Sequence, residues 1–232
     1  PHFDEEGTVD WEEGYQPEVQ TDLAIDFLEA EREDPFLMFL SWGPPHLGNT
    51  MLEDGSSMEL PFEAPDEYEA MYDAEDLELR ENVSERLTEQ ARYDLVRYYA
   101  MITSLDDQLE RLLSTLEQQG ELEDTLVVFT ADHGEQMGSH DRYYKGEPFE
   151  ESVNVPLLAR YPGEIPAGHR VDDLVSLVDL LPTALEFCDA DVPERVQGES
   201  MAPLFRDEAG ASGREEVYIE HGGWRALRTR DR

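Results

Sequence analysis

Four apolar residues, 126–129, lead through Thr130 and Ala131 into Asp132, His133 and Gly134, and that abrupt change limits the folds open to the chain more than any other stretch. The run is β-branched or large and lacks clear alternation, as in a strand covered on both faces in a parallel sheet. An acid and an imidazole then fall at its carboxyl end, the edge where open α/β sheets bind their ligands. Upstream, Leu23, Ala24, Phe27 and Leu28 recur at helical spacing behind Thr21 or Asp22 as a cap, and Pro35 ends that helix. Residues 36–42 then read as a second buried strand, which Gly43, Pro44, Pro45 and His46 close, placing another histidine at a sheet edge.

The rest of the chain fits the same class. Residues 1–16 are acidic and aperiodic, a surface segment, and 47–81 form a long acidic insertion punctuated by proline and glycine, the kind of loop that serves as a lid or substrate wall. Leucines and tyrosines recur every three or four positions through 83–119, predicting one long helix or two abutting ones that end near Gly120. A strand is expected over 153–161 with Pro156 at its start, and a helix over 174–187 with a break near Asp179. Residues 198–213 are irregular, and 216–220 and 224–228 read as strands joined through His221, Gly222 and Gly223.

Composition narrows the chemistry. Of the 17 basic residues one is a lysine, Lys145, twelve positions after His133. An ammonium can meet an anionic oxygen as a compact charge and can give up a proton, which a guanidinium does not. The net charge of -39 excludes a nucleic-acid groove or adhesion to an anionic membrane as the working mode. With 39% hydrophobic residues the chain has the means to fold, but its surface repels itself and needs dissolved cations, as in a salt-in halophile. The single cysteine, Cys188, rules out an internal disulfide and sits where an apolar helix ends, so burial is expected. No stretch approaches a membrane span, and the chain begins at Pro1, so the natural amino terminus is expected to lie elsewhere. A cytoplasmic location is the expectation, without exclusion of a signal peptide.

A carboxylate and a histidine at a strand end suit a divalent metal, and a lysine with a second histidine suits the oxygens of a sulfate or phosphate ester. The bland alternative has Asp132 capping the next turn and His46 packing on prolines. Beyond these residues, Thr130-Ala-Asp-His-Gly-Glu-Gln-Met-Gly-Ser-His140, Lys145-Gly146, 149–158 and Arg160-Tyr-Pro-Gly163 resemble the C-terminal half of the catalytic domain of type I sulfatases, members of the alkaline phosphatase superfamily. Residues 35–46, Tyr98-Tyr-Ala-Met-Ile102, Leu105-Asp-Asp107 and Leu177-Val-Asp-Leu-Leu-Pro-Thr183 extend the resemblance over about 15–230, in family order.

That resemblance implies a three-layer α/β sandwich with a mostly parallel central sheet and part of a small antiparallel C-terminal subdomain. Residues 1–190 would be the distal catalytic domain and 191–232 the start of the subdomain. Asp132 and His133 would be metal ligands, for calcium first, with manganese or magnesium as alternatives. Lys145 would contact a sulfate oxygen and help protonate the departing alcohol, His46 would share that work, and His140 would line the substrate wall. The family's formylglycine, made in a Cys/Ser-x-Pro/Ala-x-Arg motif, and its amino-terminal Asp-Asp metal pair are absent here, and Cys188 is followed by Asp-Ala-Asp with no arginine at the required step. The chain is therefore expected to be the distal part of a sulfuric ester hydrolase, inactive alone, with the nucleophile supplied upstream. Two rivals are a phosphonate or phosphate ester hydrolase of the same superfamily and a non-catalytic remnant of a truncated gene. Oligomeric state is left open by the sequence.

Overall fold

The computed structural model of the protein describes residues 2–3, 9–10, 13–51, 57–59 and 61–231, of which 2–3, 9–10, 49–51 and 57–59 by their backbone alone. Half of the expected surface segment over 1–16, and part of the 47–81 insertion, lies outside the described residues. Two units divide the chain, Pro1–Leu122 with Met137–Asp141, and Glu123–Gln136 with Arg142–Arg232.

In the first unit β1 (His2–Phe3) pairs antiparallel with β2 (Val9–Asp10), α1 (Gln16–Glu29) follows, β3 (Asn49–Met51) pairs antiparallel with β4 (Ser57–Glu59), and α2 (Asp66–Glu69) precedes α3 (Thr88–Gln119). The predicted periodicity makes one helix of α3. It buries Ala91, Leu95, Met101, Leu105, Leu112 and Leu116 on one face, and α1 packs on it through a face that buries Thr21, Ala24 and Leu28. Each large apolar side chain in such a seam contributes on the order of 1.5–3 kcal/mol. Gly120 ends α3 at φ +74, the left-handed backbone that glycine adopts without a Cβ penalty. The helix begins at Thr88 instead of 83 because 80–87 are spent in turns. Likewise α1 begins at Gln16, ahead of the expected cap, since Pro17 in the first turn loses no intrahelical bond, and it ends at Glu29, ahead of Pro35. Arg32 then stacks on Phe27 and Phe36 at 5.4 and 4.5 Å and pairs with Glu121 at 2.9 Å, fastening the exit of α1.

The buried strand expected over 36–42 does not form. The segment has no ladder partner among the described residues, and its side chains alternate between half-buried Phe36, Met38, Leu40 and Trp42 and outward Leu37 and Phe39, 89% and 92% exposed. Strand assignment requires a neighbouring backbone, which an apolar pattern alone does not provide.

In the second unit the chain order is β5 (Val127–Thr130), α4 (Glu150–Val153), β6 (Leu157–Arg160), α5 (Leu180–Phe187), α6 (Ala202–Phe205), β7 (Glu216–His221) and β8 (Trp224–Thr229). β5 and β6 pair antiparallel, Val127 opposite Arg160 and Thr130 opposite Leu157, and every strand pair among the described residues is antiparallel. The two-face burial expected of β5 is therefore not met, and Val128 and Leu158 face outward. The break expected near Asp179 is a 3₁₀ turn, Leu177–Asp179, leading into α5. Cys188 caps α5 and is exposed, because the apolar periodicity ends at Phe187, one residue earlier. Asp179 latches this region. Its buried carboxylate accepts the Ser176 and Glu199 N–H groups at 3.0 and 2.9 Å and the Arg214 guanidinium in a two-pronged pair. β7 and β8 form the expected hairpin, with His221 opposite Trp224 across Gly222 and Gly223.

Candidate active site

β5 ends where its side chains turn polar. Thr130 Oγ1 donates to the Pro156 carbonyl at 2.8 Å, fixing the strand end, and Asp132 then projects with its side chain 90% exposed. Its Oδ1 accepts the His133 N–H at 3.0 Å and its Oδ2 lies 3.8 Å from His133 Nε2. His133 Nδ1 lies 2.8 Å from the Gly134 carbonyl. Since a carbonyl only accepts, Nδ1 carries the proton, and in the neutral ring the lone pair sits on Nε2, toward Asp132. Gly134 makes this seat: its N–H donates to Ser152 O at 2.8 Å, and a Cβ there would stand 2.1 Å from the Glu151 carbonyl. No other residue type fits between β5 and α4 without moving one of them.

Lys145 reaches the same edge through two short links. Gln136 N–H donates to the Tyr144 carbonyl at 3.0 Å, and Tyr144 N–H donates to Glu135 Oε1 at 2.6 Å. The step from His133 to Lys145 is thus closed on itself, with Tyr144 at φ +68 turning the chain. Lys145 is exposed, and Trp224 Nε1 donates to the carbonyl of the following Gly146 at 2.7 Å. Sequence reasoning missed Glu135 and Trp224. Glu135 lies inside the motif and could have been found from its place after Asp-His-Gly, whereas Trp224 carried no local signal.

His46 and His140 belong to the first unit. The His46 N–H donates to Gly43 O at 3.2 Å and its Nδ1 donates to Leu47 O at 2.7 Å, again placing the neutral ring's lone pair on Nε2. His140, at φ +56, donates its N–H to Asn82 O at 3.1 Å, and its Nε2 lies 3.1 Å from Asn82 Nδ2. An amide nitrogen only donates, so Nε2 accepts and Nδ1 holds the proton. Asp141 beside it accepts Ser84 Oγ and pairs with Arg86 at 3.5 Å. An open depression of about 510 Å³ in this unit, between residues 69–76 and Tyr93, Val96 and Arg97, includes none of the five predicted site residues.

Asp132 and His133 offer a carboxylate oxygen and an imidazole nitrogen on neighbouring residues, which fits two positions around a divalent ion. Among the described residues no group of three or more His, Cys, Asp or Glu gathers as a full metal shell.

A family model described as Sulfatase matches residues 2–190. The chain is 31% identical to an ulvan-active sulfatase of Formosa agariphila over 99% of its own length and 46% of that protein. Among solved structures it superimposes on a glycosaminoglycan-metabolism protein of Bacteroides thetaiotaomicron with a TM-score of 0.74 at 27% identity, covering 92% of this chain and 47% of that one. It matches the phosphonate monoester hydrolase of Agrobacterium radiobacter with a TM-score of 0.74 at 25% identity, over 88% and 44%. The α/β, alkaline phosphatase-like architecture expected from the sequence is the one these structures share. The chain spans about half the length of the curated relatives it matches.

Proposed function

This chain belongs to the sulfatase family, within the alkaline phosphatase superfamily, and from that premise we propose that its protein is a sulfuric ester hydrolase. Asp132 and His133 are the metal ligands, Lys145 and His46 contact the sulfate and the leaving oxygen, and His140 lines the substrate wall. Residues 1–190 are the distal catalytic domain and 191–232 begin the C-terminal subdomain. The observation that supports the reading is the pair of hydrogen bonds by which Glu135 and Gln136, shortly after Asp132 and His133, hold Tyr144, the residue before the chain's lone lysine. When bound, a divalent ion would draw charge from the sulfate oxygens. Calcium is the first candidate by family, while the imidazole donor suits manganese better.

Within this chain, Glu135 sets the position of the lysine main chain, and the Lys145 ammonium neutralises an ester oxygen and gives its proton to the departing alkoxide. His133, held through Nδ1, turns one fixed ring nitrogen toward Asp132. The formylglycine nucleophile lies outside these 232 residues in this reading, so the chain alone is inactive. The acid-rich, lysine-poor surface makes the protein halophilic, and cytoplasmic placement goes with that adaptation. A phosphonate ester hydrolase is the second reading, favoured by the likeness to the Agrobacterium enzyme. Calcium and manganese titrations in molar potassium chloride test the metal pair, with melting temperature as the readout. A rise lost in Asp132→Ala and kept in Asp66→Ala supports it. The same response in both variants, or none in the wild type, sinks it.

A further inference from the structure

Lys145 stands in a turn gripped from both ends. Ahead of it Glu135 and Gln136 hold the Tyr144 peptide. Behind it the Gly146 carbonyl accepts the indole N–H of Trp224, 78 residues further along the chain, at 2.7 Å. A Cβ on Gly146, which sits at φ +100, would come 3.3 Å from His221 Cε1, so glycine lets that imidazole lie against the peptide. His221 and Trp224 are a register pair at the tip of the β7–β8 hairpin, with ring centroids 5.9 Å apart. The hairpin is itself anchored to α4, where Arg228 Nε meets Glu150 Oε1 at 2.7 Å.

We propose that Trp224, backed by His221, is a positioning residue for Lys145: its indole N–H fixes the carbonyl of Gly146, the next residue, and with it the turn from which the lysine reaches an ester oxygen. This rests on the assignment of Lys145 as a sulfate contact. The physical case is one of prior ordering. A lysine side chain has a long flexible stem, and an exposed loop that also had to order its backbone on meeting an anion would lose conformational entropy at each residue it ordered. The indole on one side and Glu135 with Gln136 on the other fix Gly146 and Tyr144, the residues next to Lys145, before any anion arrives. Trp224 donates to the backbone and does not touch the reacting atoms.

Lys145 is also the only lysine, so a lysine label gives one signal. The test uses the chain labelled with ¹³Cε-lysine and ¹⁵N-tryptophan, titrated with inorganic sulfate in molar potassium chloride. In the wild type the Lys145 signal and the Trp224 indole proton are expected to shift with the same midpoint. Trp224→Phe, which keeps an aromatic ring and removes the donor, is expected to weaken sulfate binding about fivefold, the worth of one ordinary hydrogen bond. Tyr218→Phe on the same hairpin leaves the midpoint in place. An indole proton that stays still while Lys145 responds overturns the positioning role, as does an unchanged midpoint in Trp224→Phe. A Lys145 signal indifferent to sulfate in the wild type overturns the assignment of Lys145 itself, and the positioning role with it. The wild-type co-titration decides the matter even if Trp224→Phe fails to fold.

Discussion

Gly134 is the residue on which the seating of Asp132 and His133 depends most directly. A methyl group there would stand 2.1 Å from the Glu151 carbonyl, inside contact distance, so β5 and α4 must part to admit it. Gly134→Ala is expected to cost about 1–3 kcal/mol in chemical denaturation, and a variant as stable as the wild type would show that the two segments separate freely. The candidate site residues stand out in the sequence because polar groups interrupt apolar runs: Asp132 and His133 follow Phe129, and Lys145 is the one lysine in a chain of arginines. What holds them stands out less. Glu135 acts on a backbone nine residues away and Trp224 on one 78 residues away, and in both the partner atom belongs to the main chain, whose hydrogen bonds no residue type marks. Cys188 was misread for the converse reason. Its apolar neighbours belong to α5, while it caps the helix in solvent.

Among elements, the turn into α5 shows how one carboxylate organises a region. Asp179 is 2% exposed. Burial pushes its acidity toward the neutral form, but the Arg214 guanidinium and the Glu199 and Ser176 N–H groups outweigh this and hold its pKa below the ordinary 3.8. A depressed carboxylate contributes stability that is present above that ordinary value and is lost as pH falls through the lower folded value. Arg214→Gln removes the charge partner and leaves a buried carboxylate, at a cost of about 3–5 kcal/mol near neutrality. The deficit is expected to shrink as the acid is titrated below pH 3.8. Unfolding curves for both proteins between neutrality and acid check this, and a pH-independent difference would contradict it. The elements legible in the sequence were those whose own pattern suffices: α3 by its heptad-like leucines, α5 by its break, β7 and β8 by their glycine turn. The strand over 36–42 does not form, and β5 was legible as a strand but not in its antiparallel pairing or its one open face, because an apolar run specifies an extended chain but leaves open which backbone lies beside it and which face is covered.

For the whole molecule the governing quantity is a net charge of -39. Screening shortens from about 10 Å at 0.1 M salt to about 3 Å at 1 M, so the melting temperature is expected to climb through that range. A profile flat in potassium chloride would remove the case for halophilic adaptation. The same ions act on the uncovered apolar row formed by Leu37 and Phe39. Electrostatic repulsion is expected to keep two copies of that row apart in dilute buffer, and screening to withdraw the protection as it relieves the repulsion within the acidic surface. Colloidal behaviour is thus expected to be bounded on both sides, by charge repulsion at low salt and by apolar adhesion at high salt, and light scattering across a potassium chloride series checks it: scattering that never rises with salt would contradict the upper bound.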